Sequence, residues 1–120
     1  MLVADLEGPL LDYWVGRAMG LERLTFDPRG TTYIDRAFDI DVRARYAPST
    51  AWDQGGPVID ALKISVFFEP DSAADEPAGT WTAYVQPDKE RAFWGPKALV
   101  AAMRAAVDWK FGDQVPDTAA

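Results

Sequence analysis

The chain predicts an α+β fold: a two-layer domain in which an antiparallel sheet of three to four strands packs against N- and C-terminal helices. Three observations predict it. Helical periodicity marks the two ends of the chain, and two-residue alternation fills the middle. The alternating runs also follow one another through short turns, which favours antiparallel pairing. With 120 residues, 48% of them hydrophobic and 26% charged, the chain reads as one soluble domain over residues 1–120 with a core that needs no staples.

The elements follow in order. Gly8-Pro9 opens a first helix over residues 10–19, where Leu11, Trp14, Val15 and Ala18 share one face at i, i+3, i+4 and i+7. Gly20 is placed to end it in a left-handed cap. Residues 26–32 (FDPRGTT) read as a turn. Over residues 38–46, Phe38, Ile40, Val42, Ala44 and Tyr46 alternate with Asp39, Asp41, Arg43 and Arg45, the pattern of a strand with one wet face. A second strand is expected over residues 62–69 and a third over 80–86. In the second, Phe67 falls on the side opposite Leu62, Ile64, Val66 and Phe68, so that side is covered or meets a partner. Between them, residues 70–79 (PDSAADEPAG) read as a flexible acidic hairpin tip. Trp94-Gly95-Pro96 opens the last helix, whose stripe is Leu99, Val100, Met103, Ala106 and Val107. Lys110 suits its C-terminal dipole, Gly112 its C-cap, and residues 113–120 read as a tail.

Composition narrows the function classes. There is no cysteine and no histidine, so disulfides, thiolate chemistry and the usual neutral-pH general base are unavailable. The net charge of −7 argues against a general nucleic-acid binder, and no Lys/Arg cluster offsets it. The acids alternate with arginines, which also spoils a continuous negative stripe of the kind that would imitate phosphates. No apolar run has the length of a membrane span and no signal core follows the start, so the expected location is the cytoplasm.

The stretch over residues 46–62, YAPSTAWDQGGPVIDAL, is the densest in unusual residues. It places Tyr46, Ser49, Thr50, Trp52, Asp53 and Gln54 just before Gly55-Gly56-Pro57. Paired glycines free the backbone, and the proline suits the start of a short helix of about one turn over residues 57–61. Read structurally, this is a crossover loop that buries Trp52. Read functionally, Tyr46, Ser49, Thr50, Trp52, Asp53, Gln54, Gly55 and Gly56 converge on a small polar ligand or anion.

Three segments together resemble a known family: LLDYWVGRAMGL from Leu10, YAPSTAWDQGGPVIDALKISV from Tyr46 and GPKALVAAMRAAVDWKFGDQVPD from Gly95. Their order and spacing resemble the NinX-like proteins of bacteriophages and prophages. In that family an acid often precedes the central tryptophan, whereas here Ala51 precedes Trp52 and Asp53 follows it. The resemblance implies a phage-derived accessory protein in a bacterial host cell, and it brings no activity with it.

Catalytic chemistry finds little support. Asp39 and Asp41 sit on one strand face about 6–7 Å apart, but Arg43 and Arg45 continue that face, so a solvated charge ladder is expected there and no metal site. Ser49 and Thr50 lack an activating base, and neither a nucleophile elbow nor a phosphate loop is present. No cofactor and no enzyme activity are expected. Five tryptophans are many for this length. Trp14 and Trp81 fit apolar faces, Trp52 and Trp94 stand before glycine-containing loops, and Trp109 lies off the helix stripe. Phe67, Trp94 and Trp109 are therefore the candidate interface residues for a protein partner or a second copy.

Overall fold

The computed structural model describes residues 1–27, 30–35, 43–70, 79–87 and 90–118. A short 3-10 helix (Val3–Asp5) precedes α1 (Gly8–Ala18). Three strands follow, β1 (Leu24–Asp27), β2 (Thr31–Asp35) and β3 (Arg43–Arg45), then α2 (Trp52–Leu62). The chain continues through β4 (Ile64–Pro70), β5 (Gly79–Val85), β6 (Phe93–Gly95) and α3 (Ala98–Phe111). The strands form two antiparallel three-stranded sheets, β1-β2-β3 and β4-β5-β6. The α+β class holds, with the helices flanking the sheets.

Each sheet has its own helix, and the two helices pack on each other: α1 on the first sheet, α3 on the second. This double use explains the burial of α1. Leu11, Tyr13, Trp14 and Val15 are all buried, so the helix is apolar over far more than one stripe. Its glycine is part of the packing, since a Cβ on Gly16 would lie 2.5 Å from Leu24 Cδ1 and 3.2 Å from Tyr46 Cε2. Gly20 ends α1 as expected, with φ at 81° and the Leu21 N–H donating back to the Gly16 carbonyl at 2.9 Å.

The turn expected over residues 26–32 is narrower than predicted: Phe26 and Asp27 belong to β1 and Thr31 and Thr32 to β2, the paired arms of a hairpin that periodicity did not reveal. Each arm is four or five residues long, and every β1 residue is half-buried, so no two-residue contrast marks it. Of the strand expected over residues 38–46, only β3 lies within the described residues; Asp39 and Asp41 fall outside them, as do residues 71–78 of the acidic tip. The expected strand at 62–69 starts later, because Leu62 ends α2 and Lys63 caps it in the left-handed conformation.

The second sheet is built as the alternation requires. Ile64 faces Val85, Val66 faces Ala83, and Ala83 faces Phe93, all turned toward α3. α3 departs from the expected single stripe. Ala98, Leu99, Ala101, Ala102, Met103, Ala105, Ala106 and Val107 are all buried, so the helix is enclosed on most of its circumference. Gly112 caps it, as expected. Arg104 ties two neighbours to it: its Nε donates to the Leu6 carbonyl at 2.8 Å and its Nη1 to the Trp94 carbonyl at 2.7 Å. Burial pushes its pKa down from the ordinary arginine value, against the pull of Glu7 and Asp5. The segment after α3 is held at its start, over residues 113–115. Val115 is buried, its N–H donates to the Met1 carbonyl at 3.0 Å, and Leu2 bridges Gln114.

The expected Gly-Gly-Pro loop is a correction. Gly55, Gly56 and Pro57 lie inside the 11-residue α2, which begins at Trp52. Pro57 is exposed, as is Asp53 four residues before it, so the carbonyl that the proline leaves without a donor is on the wet side. Gly55 is there for contact: a Cβ would collide with the Pro48 carbonyl oxygen and come within 2.6 Å of Leu99 Cδ2. Gly56 has open space around the same position. Gly55→Ala should therefore lose about 1–3 kcal/mol to overpacking, whereas Gly56→Ala should be neutral or stabilise by up to about 1 kcal/mol through helix propensity. Urea denaturation of the two variants checks this, and equal effects would refute the packing role.

Candidate functional site

Residues 46–54 run from the end of β3 into α2, and hydrogen bonds fix their path. The Tyr46 N–H donates to the Thr32 carbonyl at 2.8 Å, which holds the segment against β2. The Gln54 side chain then clamps the turn from the helix side. Its Oε1 accepts from the Ala47 N–H at 2.6 Å, and its Nε2 donates to the Arg45 carbonyl at 2.9 Å. Gln54 is thus committed to the backbone. The Ala51 N–H donates to the Ala47 carbonyl at 2.8 Å, and the Gly55 N–H to the Ala51 carbonyl at 2.8 Å. The amide of Gly55 is spent inside the helix and faces no ligand.

Beneath the turn lies a polar centre that the sequence reading did not single out. Asp12 of α1 is buried, and its Oδ1 accepts from the Ser49 N–H at 2.8 Å. Burial raises the carboxyl's pKa from 3.8; the Ser49 hydroxyl and N–H and the charge of Arg45 pull the other way. The Ser49 hydroxyl is buried beside this carboxylate and favours its charged form. Burial, with a smaller push from Asp12, moves the Tyr46 phenol up to about 12, so it stays neutral. A signal for Asp12 was present in the sequence: an acid between Leu10-Leu11 and Tyr13-Trp14-Val15 has no polar helix face to occupy.

Around this centre the eight predicted ligand residues separate. Ser49, Thr50 and Trp52 line a depression of about 240 Å³ whose other wall is Lys97, Ala98 and Leu99 at the start of α3. Thr50, Asp53 and Gln54 line a more open one of about 270 Å³ with Arg45, Ala47 and Ala51. Tyr46 is turned toward α1, and Gly55 and Gly56 are helical. The expectation that Trp52 is buried in a crossover is overturned: as the first residue of α2 it is 60% exposed.

The three interface candidates also divide. Phe67 pairs with Thr82, and Thr82 with Trp94, so the two aromatics flank one residue on the face of the second sheet turned away from α3. They are 41% and 54% exposed, two strand spacings or about 10 Å apart. Tyr84 extends the patch, its ring meeting Phe67 edge-on at 6.4 Å. Trp109, 50% exposed, lies elsewhere, at the C-terminal half of α3 beside a depression of about 220 Å³. There Arg91 pairs with the buried Asp108 at 2.8 Å.

Among the described residues no group of three or more acidic, histidine or cysteine side chains is arranged to hold a metal, and no helix is long and apolar enough to cross a membrane. The fold and its surface thus define a small α+β protein with an exposed aromatic sheet face and an indented junction between α2 and α3. The family described as Bacteriophage P22, NinX matches residues 2–110, and the chain belongs to that family. It is a phage-derived protein in that sense, and the match takes in the first two resembling segments whole and the third as far as Lys110. Comparison with curated proteins gives no match.

The Asp12 centre makes a pH prediction. An acid with a raised folded pKa binds its proton more tightly in the native state, so its contribution falls as pH rises from the ordinary 3.8 through the folded value. Asp12→Asn keeps an oxygen for the Ser49 N–H and carries no charge. Relative to wild type, its melting temperature should climb as pH rises from the ordinary 3.8 through the raised folded value. A wild-type-to-variant difference that is constant with pH would contradict the penalty on the buried charge.

Proposed function

We propose that this protein is a non-enzymatic interaction factor of the phage, acting in the bacterial cytoplasm, which docks a basic partner protein on the outer face of its second sheet. The observation that carries this reading is the juxtaposition of Phe67 and Trp94 across Thr82, with Tyr84 beside them. A sheet face of this kind has the character of an interface centre, where aromatics concentrate and charge is scarce. Thr82 is itself buried between them, and its Oγ1 has no partner among the described residues.

Charge selects the partner. The net charge is −7, and Glu69 stands at the end of this face where β4 leads toward β5. The connecting segment, outside the described residues, adds Asp71, Asp75 and Glu76 in sequence. An apolar centre beside acids favours a protein with basic residues around an apolar spot and disfavours a second copy of this acidic chain. Support for a non-enzymatic role comes from composition, since the chain has neither histidine nor cysteine to serve as base or nucleophile.

A Phe67→Ser/Trp94→Ser double variant tests the reading. Both side chains are exposed, so its stability should stay within about 1 kcal/mol of wild type. Wild-type protein immobilised in lysate of infected cells should retain a basic protein that the variant holds at least about tenfold more weakly, as for a tryptophan hot spot. Retention of the same proteins by both forms would overturn the proposal. So would a wild-type dimer, found by sedimentation, that the double substitution dissociates.

A further inference from the structure

The two edges of the second sheet differ. Lys63 and Gln86 face each other just before the first paired residues of β4 and β5, and the Gln86 N–H donates to the Lys63 carbonyl at 3.2 Å. In an antiparallel pair, hydrogen-bonded residues alternate with residues whose backbone groups point away from the partner strand. Counting from Lys63, the backbone groups of Ser65, Phe67 and Glu69 are taken by β5, and those of Ile64, Val66 and Phe68 point out past the edge. The same alternation across β5 turns the Trp94 backbone outward on the far side, and there its carbonyl accepts from Arg104 Nη1 at 2.7 Å. The β6 edge is therefore occupied at its centre. The β4 edge has no neighbouring strand among the described residues.

Nothing within β4 blunts that edge. Sheets ordinarily protect an edge with a bulge, a lysine, a proline or an inward-pointing charge. The register of β4 runs unbroken from Ile64 to Pro70, so there is no bulge. Between Ile64 and Phe68 the strand carries neither charge nor proline, and Phe67 and Phe68 are both exposed. Such an edge is a template for one more strand. Charge decides whose strand it is. Glu69 lies two residues from Phe67 on the outer face and the chain carries a net −7, so a second copy would bring like charge to the same edge.

We infer that β4 takes up an extended segment of the basic partner as a fourth, antiparallel strand of this sheet. The N–H and C=O groups of the segment pair with those of Val66 and Phe68. On the outer face it sets an apolar side chain beside Phe67 and, two positions away, an arginine or lysine beside Glu69. The inference rests on the docking face proposed above and specifies how the partner is held there. Backbone pairing aligns the segment, and the side chains next to Phe67 and Glu69 select it.

The probe is the end-blocked peptide TRTVTRTVT, which carries arginine and valine in alternation on one face and threonine on the other. Titrated into the isotope-labelled full chain, it should give saturable shifts and slowed hydrogen exchange at the Val66 and Phe68 amides. Two backbone-methylated forms with the same side chains separate pairing from simple adhesion. N-methylation of the threonines, whose N–H groups face β4, should weaken binding at least about tenfold, whereas N-methylation of the valines and arginines should not. In the protein, Phe68→Pro and Phe68→Ala both lose the ring, but only the proline lacks the outward N–H, a loss that an edge strand tolerates. Phe68→Pro should bind about tenfold more weakly than Phe68→Ala. Absence of saturation, equal binding of the two methylated peptides, or equal affinity of the two Phe68 variants would each overturn the strand pairing. A wild-type dimer that Phe68→Pro dissociates would assign the edge to a second copy and overturn it too. The docking face itself fails on a different result, equal retention of proteins by wild type and Phe67→Ser/Trp94→Ser.

Discussion

Everything in this fold depends on the close enclosure of α3. Ala101, Ala102, Ala105 and Ala106 are at most 2% exposed, and with them the helix surface is shallow enough for neighbours on several sides. The second sheet approaches from one direction, α1 from another, and α2 from a third. At its N-terminal end the approach is backbone to backbone: a Cβ on Gly95 would lie 2.9 Å from the Ala101 nitrogen. Gly55 lets α2 come close in turn, to the Leu99 side chain. Small residues gain little from burial individually, but they let three elements share one helix, and the dispersion contacts of the larger Met103, Val107 and Leu99 follow from that proximity.

The two ends of the chain and the long hairpin were legible because their periodicity is strong and their caps are chemically distinct. Leu11, Trp14 and Val15 announced α1, Gly20 and Gly112 announced helix ends, and alternation through Val66 and Ala83 announced β4 and β5. What escaped did so for physical reasons. β6 is three residues long, too short for any period, and was absorbed into the expected start of α3. The Gly-Pro rule held at Gly8-Pro9, where the proline sits in the first turn, and failed at Gly56-Pro57 and Gly95-Pro96. In α2 the need for a residue without a side chain against Pro48 outweighed the poor helix propensity of two glycines and a proline.

The candidate site was legible in its residues and not in its geometry. Ser49, Thr50 and Trp52 do meet at one depression, but their partners come from Lys97, Ala98 and Leu99, some fifty positions away in sequence. No local pattern reports such a junction. Gln54 shows the opposite error: an amide that reads as a ligand donor is consumed by two backbone groups of its own turn. Phe67 was recognisable because it breaks the alternation of β4 and Trp94 because it stands before a glycine-containing loop, whereas their adjacency became visible only through the pairing of both with Thr82.

The wide sequence separation of α1 and α3 has a consequence for how the protein comes into being. α1, at residues 8–18, finds its largest apolar partner at residues 98–111, and Val3 donates its N–H to the carbonyl of Asp113. During synthesis from the N-terminus, the buried side of α1 and the inner face of β4 and β5 therefore wait without cover until the last helix has emerged. Core closure therefore joins segments some ninety positions apart, a topology of long-range contacts that slows folding and leaves apolar surface open in the meantime.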